Sequence, residues 1–176
     1  SRAYEVLGNL EEQDRNLDAG LELNPDLWTL QTRRLLRMLE DNHLSEAHEF
    51  TKKMTLLGRT TSNELQKMIH WFSDPDQAPD EEILSALYFT PKAALLAGQI
   101  DLWFEISFPD SSQYWETTLV HFANLSSMAD EQQFQQLNAH PRAKQLIVET
   151  RLDEYWRQTQ WPPRCRPLGE DDFVCE

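Results

Sequence analysis

Apolar side chains recur along most of this chain at spacings of three and four, broken by short polar turns, which is the helical pattern. Ala3, Val6, Leu7 and Leu10 mark the end of a first helix over residues 2–10. A second helix is predicted over 11–23, with Leu17, Gly20 and Leu21 on one face. It stops at Asn24-Pro25, because proline keeps the residue before it out of the αR region. A third over 26–40 turns Trp28, Leu35, Met38 and Leu39 inward. Asp41-Asn42 makes the next turn, and a fourth helix runs from Leu44 to Leu57, closed by Gly58. Thr61-Ser62-Asn63-Glu64 spells a capping box, in which the threonine hydroxyl takes the Glu64 amide and the carboxylate reaches back to the cap. A fifth helix therefore starts near 62, carries Leu65, Met68, Ile69 and Phe72, and ends at Ser73-Asp74-Pro75.

Residues 74–80 are the clearest loop, and Pro79-Asp80-Glu81 restarts a helix with acids in its first turn, where they complement the helix dipole. Leu84, Leu87 and Tyr88 continue it, with a kink or break expected at Pro91. Ala93, Ala94, Leu95 and Ala97 follow, and Gly98 turns the chain into a short apolar helix over 100–106 with Trp103 and Phe104. Phe108 to Ser112 is a further loop and cap, opening a helix over 112–125 with Trp115, Leu119, Phe122 and Leu125. Helices over about 129–137 and from Pro141 to about 150 come next, the latter burying Leu146 and Ile147. Leu152, Tyr155 and Trp156 make one more aromatic turn, and beyond Trp161-Pro162-Pro163 the tail reads as irregular.

Composition sharpens this to an all-α class, since Leu, Glu, Gln and Ala dominate over Val and Ile and only five residues are glycine. The 176 residues suit one continuous domain that needs no staples to fold. A formal net charge of -14 argues against a grip on DNA or RNA by this segment, and an anionic membrane surface is disfavoured too. A solvated surface accounts for the acidity; a field that steers a basic partner is the sharper alternative. The longest apolar run, Ala93 to Ala97, is far short of the roughly 20 residues that span a bilayer.

Two segments of one design follow each other: Leu10-Glu11-Glu12-Gln13 leading to Leu21-Glu22-Leu23-Asn24-Pro25-Asp26, then Leu44-Ser45-Glu46-Ala47 leading to Met54-Thr55-Leu56-Leu57-Gly58. Leu10 to Leu44 and Gly20 to Met54 are each 34 residues, the length of a hairpin that buries its apolar face only when a neighbour stacks on it. Over residues 3–59 the period and the Leu-Glu-Leu-Asn-Pro-Asp ending resemble the tetratricopeptide family. Ala47 keeps one of its small-residue positions, while Gln13 and Trp103 depart from it. Residues 93–176 carry a second resemblance. His140-Pro141-Arg142, Leu152-Asp153-Glu154-Tyr155-Trp156-Arg157, Trp161 to Leu168 and Asp171-Asp172-Phe173 look like the closing segment of long bacterial tetratricopeptide arrays. That group implies an effector upstream, such as the winged-helix domain of ToxR-like transcription regulators or a cyclase or kinase domain. Starting at Ser1, partway through a helix, the chain looks like a piece of such a longer protein.

Candidate chemistry is sparse. Cys165 and Cys175 are separated by nine intervening residues in a Pro/Gly-containing tail, close enough to join in a disulfide or to remain two reduced thiols. A disulfide implies an oxidising compartment, the periplasm, and thiols the cytoplasm. The pair lacks the C-x2-C grouping of a metal site, and His43 and His48 lack the i, i+4 spacing that chelates zinc, so no metal or cofactor is expected. His140 before Pro141 completes a helix start. Glu11-Glu12 and Glu81-Glu82 are dipole-complementing acids rather than an acid–base pair. Four or five of the six tryptophans are expected in the core, leaving one or two for a groove.

The expectation is an all-α, right-handed superhelical stack of helix hairpins: tetratricopeptide-like over 1–59, degenerate over 60–126, and capped over 127–176. No catalytic residue is assigned. Its function is to hold a protein or peptide partner, with self-association open, as an interaction or signal-sensing module of a larger bacterial regulator. Thr29, Thr32 and Leu36, which alternate with the inward set of the third helix, are the candidate groove residues. The alternative is a small-molecule or peptide sensor with a pocket among Trp103, Trp115 and the 74–80 loop.

Overall fold

The computed structural model describes residues 10–54, 61–108, 131–162, 165–170 and 172–175, and the chain divides into two compact units, residues 1–107 and 108–176. Ten helices and one two-stranded sheet occur among the described residues: α1 (Leu10–Leu23), α2 (Trp28–Glu40), α3 (Leu44–Thr51), α4 (Ser62–Phe72), α5 (Glu81–Phe89), α6 (Lys92–Leu96), α7 (Ile100–Ser107), α8 (Glu131–Ala139), α9 (Pro141–Glu149), α10 (Leu152–Gln158), β1 (Cys165–Leu168) and β2 (Asp172–Cys175). The chain is mostly helical, in keeping with an all-α class. The helix expected over 112–125, with Trp115, lies outside the described residues, as do residues 2–9 and Leu57-Gly58.

In the first unit α1 and α2 run antiparallel, since Arg34 pairs with Asp18 at 3.6 Å and Arg37 with Asp14 at 3.5 Å. Gly20 lets them approach: a Cβ there would stand 3.0 Å from Leu30 Cδ1. Leu17, Leu35 and Leu39 fill the seam. Gln31, 4% exposed, joins them because its Nε2 donates to Pro25 O at 2.7 Å and ties the turn to the helix. Trp28, expected inward, is instead 36% exposed and lies against Phe89 with ring centroids 5.5 Å apart. Residues 24–27 form a turn, so Trp28 opens the helix beyond the buried stripe of Gln31, Leu35 and Leu39.

Asn42, in the left-handed region at φ 58°, reverses the chain into α3 as the Asp-Asn pair predicts. This helix ends at Thr51 rather than continuing through Met54. Lys53 N donates to Phe50 O and Met54 N to Thr51 O, which tightens the last turn, and the Ser62 hydroxyl caps Thr51 O at 2.8 Å. The α4 capping box forms: Thr61 Oγ1 accepts from Glu64 N, and the Glu64 carboxylate accepts from Thr61 N. Helices α4 and α5 pack antiparallel around Leu65, Met68, Ile69, Ala86 and Leu87, with Lys67 paired to Glu82. At Thr90-Pro91 the helix breaks. The buried Thr90 hydroxyl donates back to Ala86 O, and α6 carries Ala93, Ala94 and Leu95 into the core beside α2, where Lys92 pairs with Glu40. Gly98, at φ 75°, turns the chain into α7, which buries Trp103, Phe104 and Ile106.

In the second unit α9 packs against α8 and α10 around Leu137, Ala143, Leu146 and Ile147. His140 caps α9 by accepting from Arg142 N, with Pro141 at the first helical position. The tail expected to be irregular forms an antiparallel hairpin in which Cys165 faces Cys175 and Pro167 faces Phe173. Gly169, at φ 71°, supplies the turn, and a two-stranded ribbon has only edges, where Pro167 needs no ladder partner.

Candidate functional site

Helix α4 is flanked by two solvent-open grooves that share Gln66 and His70. One, of about 520 Å³, runs between α3 and α4 and is lined by Leu44, His48, Glu49, Ile69 and Ser73 besides the shared pair. Glu49 on its rim is held below the usual carboxylate range by the Lys52 ammonium, which donates to it at 2.5 Å. Its charge is thus largely answered from within α3 and the turn that follows.

The other, of about 580 Å³, lies between α4, the 74–80 loop and the first turn of α5. Trp71 sits at its base, and the indole N–H donates to Gln77 O at 2.9 Å, which pins the loop to the helix. Gln77 Nε2 donates in turn to Asp74 Oδ2 at 3.1 Å, and Asp80 Oδ1 accepts from Ile83 N as the cap of α5. Ala78 and Ile83 supply apolar wall; Asp74 and Asp80 supply charge, and the one lysine of the lining, Lys67, is already paired with Glu82. The groove is therefore shaped before anything enters it.

The three residues expected to form a groove share one side of α2, roughly 60 to 120° around the helix from the centre of the buried stripe. Thr29 is exposed, and Thr32 and Leu36 are half-buried. The Thr32 hydroxyl is buried without a hydrogen-bond partner among the described residues. None of the three lines either groove beside α4. The 74–80 loop does line a groove, but the tryptophan beneath it is Trp71; Trp103 is buried in α7 with its ring against Phe104, and Trp115 lies outside the described residues. The missed participants, Gln66, His70 and Trp71, fall on α4 at positions that a helical pattern assigns to packing or solvent. Only the distance from Trp71 to a Pro-rich loop hinted at a pinned turn.

A patch of exposed apolar side chains lies at the α1–α2 turn, where Leu23 is 81% exposed and Leu27 and Trp28 follow it. In the second unit Trp156, Trp161 and Phe173 meet at centroid distances of 5.5 to 6.3 Å. Lys144 stands 5.4 Å over Phe173 and Arg157 5.4 Å over Trp161. Arg157 also donates to Gly169 O and Asp172 O, and Cys165 and Cys175 are joined in a disulfide across the open end of the hairpin. Tyr155 points away, 60% exposed. Among the described residues no three His, Cys, Asp or Glu side chains converge as metal ligands, and no helix is long and apolar enough to cross a membrane.

No protein-family model matches this chain, and no curated protein or solved structure is significantly similar to it.

Proposed function

We propose that this chain is a protein-interaction or signal-sensing module of a larger bacterial regulator, of the transcription-regulator kind, built from tetratricopeptide-like hairpins stacked in a right-handed superhelix. The starts of α1 and α3, Leu10 and Leu44, and of α2 and α4, Trp28 and Ser62, are the same 34 residues apart, which supports a repeat of that length. The close approach at Gly20 supports hairpin packing of the same kind. The observation that carries the function is the pair of pre-shaped, open grooves on either side of α4, because a rigid scaffold presenting a fixed concavity loses little freedom when a partner binds. The disulfide in the tail favours the periplasmic arm of such a regulator.

The test is selection of binders from a random peptide library displayed on phage, followed by mapping of the selected peptides by amide chemical shifts. Enriched peptides that shift the α2 face or the α4 grooves are expected. Alanine at Thr29, Thr32 and Leu36 together is expected to weaken those that use the α2 face, and unchanged affinity there removes these three residues from the partner surface. Failure to enrich any peptide counts against the module as a whole. A small-molecule sensor is the second reading, favoured by the size of the α4–α5 groove, which lies within the usual roughly 300 to 1,000 Å³ of ligand sites. A thermal-shift screen that finds a stabilising metabolite but no peptide would prefer it.

A further inference from the structure

We infer that the groove between α4 and α5 is a docking site for an extended peptide that carries lysine or arginine next to an apolar side chain. The inference deepens the interaction-module proposal and rests on it. Five acids, Asp74, Asp76, Asp80, Glu81 and Glu82, fall within nine residues of the loop and the first turn of α5; Asp74 and Asp80 line the groove itself, and no Lys or Arg occurs from 68 to 91. Local structure accounts for only part of that charge. Glu82 is paired with Lys67. Asp80 gives one oxygen to cap α5 and Asp74 gives one to Gln77, so each keeps a second oxygen clear of those bonds. Asp76 and Glu81 are exposed and have no charged partner among the described residues.

The lining beside these carboxylates is apolar at Ala78, in the loop pinned over Trp71, and at Ile83 of α5. A lysine or arginine side chain matches both layers at once, with its methylene stem along apolar surface and its charged head among the carboxylates. The side-chain amides of Asn63 and Gln66 on α4 offer donors and acceptors to a peptide backbone crossing the groove. A chain of net charge -14 also attracts basic segments from a distance, which raises their encounter rate at low ionic strength. Charge complementarity selects the occupant: an acidic peptide would meet Asp74 and Asp80 in the lining, neither of them paired with a cation among the described residues.

The experiment uses the full chain and peptides selected from an unbiased phage-displayed library, then measured as synthetic peptides by fluorescence anisotropy. A fourfold variant, Asp74→Asn, Asp76→Asn, Asp80→Asn and Glu81→Gln, removes the rim charge while keeping shape, and asparagine caps a helix as well as aspartate does. The expected result is enrichment of peptides with net positive charge, affinity that falls as salt rises from 50 to 300 mM, and a loss of about tenfold or more in the fourfold variant. Circular dichroism of that variant checks that it is folded. Peptides that lack net positive charge, or that bind the variant as well as the parent, overturn the inference and leave the interaction module standing. Enrichment of no peptide overturns both.

Discussion

Between α4 and α5 the chain closes over Leu65, Met68, Ala86 and Leu87, side chains from which water is excluded, whereas the C-terminal hairpin is closed by a covalent bridge, three aromatic rings and cations resting on its surface. The difference follows from what each length of chain can bury. Eleven residues of α4 present a whole apolar stripe to a neighbour, and each fully buried leucine contributes roughly 1.5 to 3 kcal/mol. Four-residue strands present one inward side chain, Phe173, so the second unit supplements a small core with constraint of the unfolded chain and with polar ties.

The sharpest way to break the comparison is to open the apolar seam. Leu65→Ala, at a position with no exposed surface, should cost about 2 to 5 kcal/mol, seen as a large drop in the urea midpoint. An effect below about 1 kcal/mol would mean the seam is looser than described. Next in size is the bridge. Reduction, or Cys165→Ser with Cys175→Ser, should cost the second unit about 2 to 3 kcal/mol, followed by amide exchange of Phe173 and Val174, while exchange in α4 and α5 stays unchanged. Equal loosening in both units would erase the distinction.

The smallest effect is electrostatic. Asp172 is held below the usual aspartate range, chiefly by the hydrogen bond from Lys144 and then by the Phe173 amide. A carboxyl whose folded value is lowered contributes stability that is complete above its unfolded value and is lost as pH falls through the folded one. Protection of the hairpin amides, taken relative to their intrinsic exchange at each pH, should therefore fall as pH drops below about 4, and Asp172→Asn should flatten that dependence at a cost small for so exposed a pair.

The helices of the first unit were legible because their signals are local. Thr61 and Glu64 announce a cap, Asn24-Pro25 and Asp41-Asn42 announce turns, and Pro91 announces a break, each through a constraint on its own backbone. Trp28 was misplaced because helical periodicity fixes a direction around an axis but not where the axis begins, and the turn through Leu27 puts that residue at the rim. Gln31 went unnoticed in the core because its burial depends on Pro25 O, a partner no spacing rule supplies. The hairpin was hidden by Pro167, which reads as a strand breaker until the strand is seen to be an edge. Of the grooves, only the 74–80 loop was visible in advance; a concavity is a relation among three elements, and its lining on α4 looks like any half-polar helix face.

Thr90 and Pro91 join α5 to α6 with no intervening loop, and that corner has a mechanical meaning. Thr90 is anchored on Ala86, proline stiffens the step, and Lys92, the next residue, grips Glu40 at the far end of α2. The end of α5 and the start of α6 are thus tied on one side to Ala86 and on the other to the end of α2. That corner therefore fixes the direction in which α6 leaves α5, and with it the place where α6 meets α2.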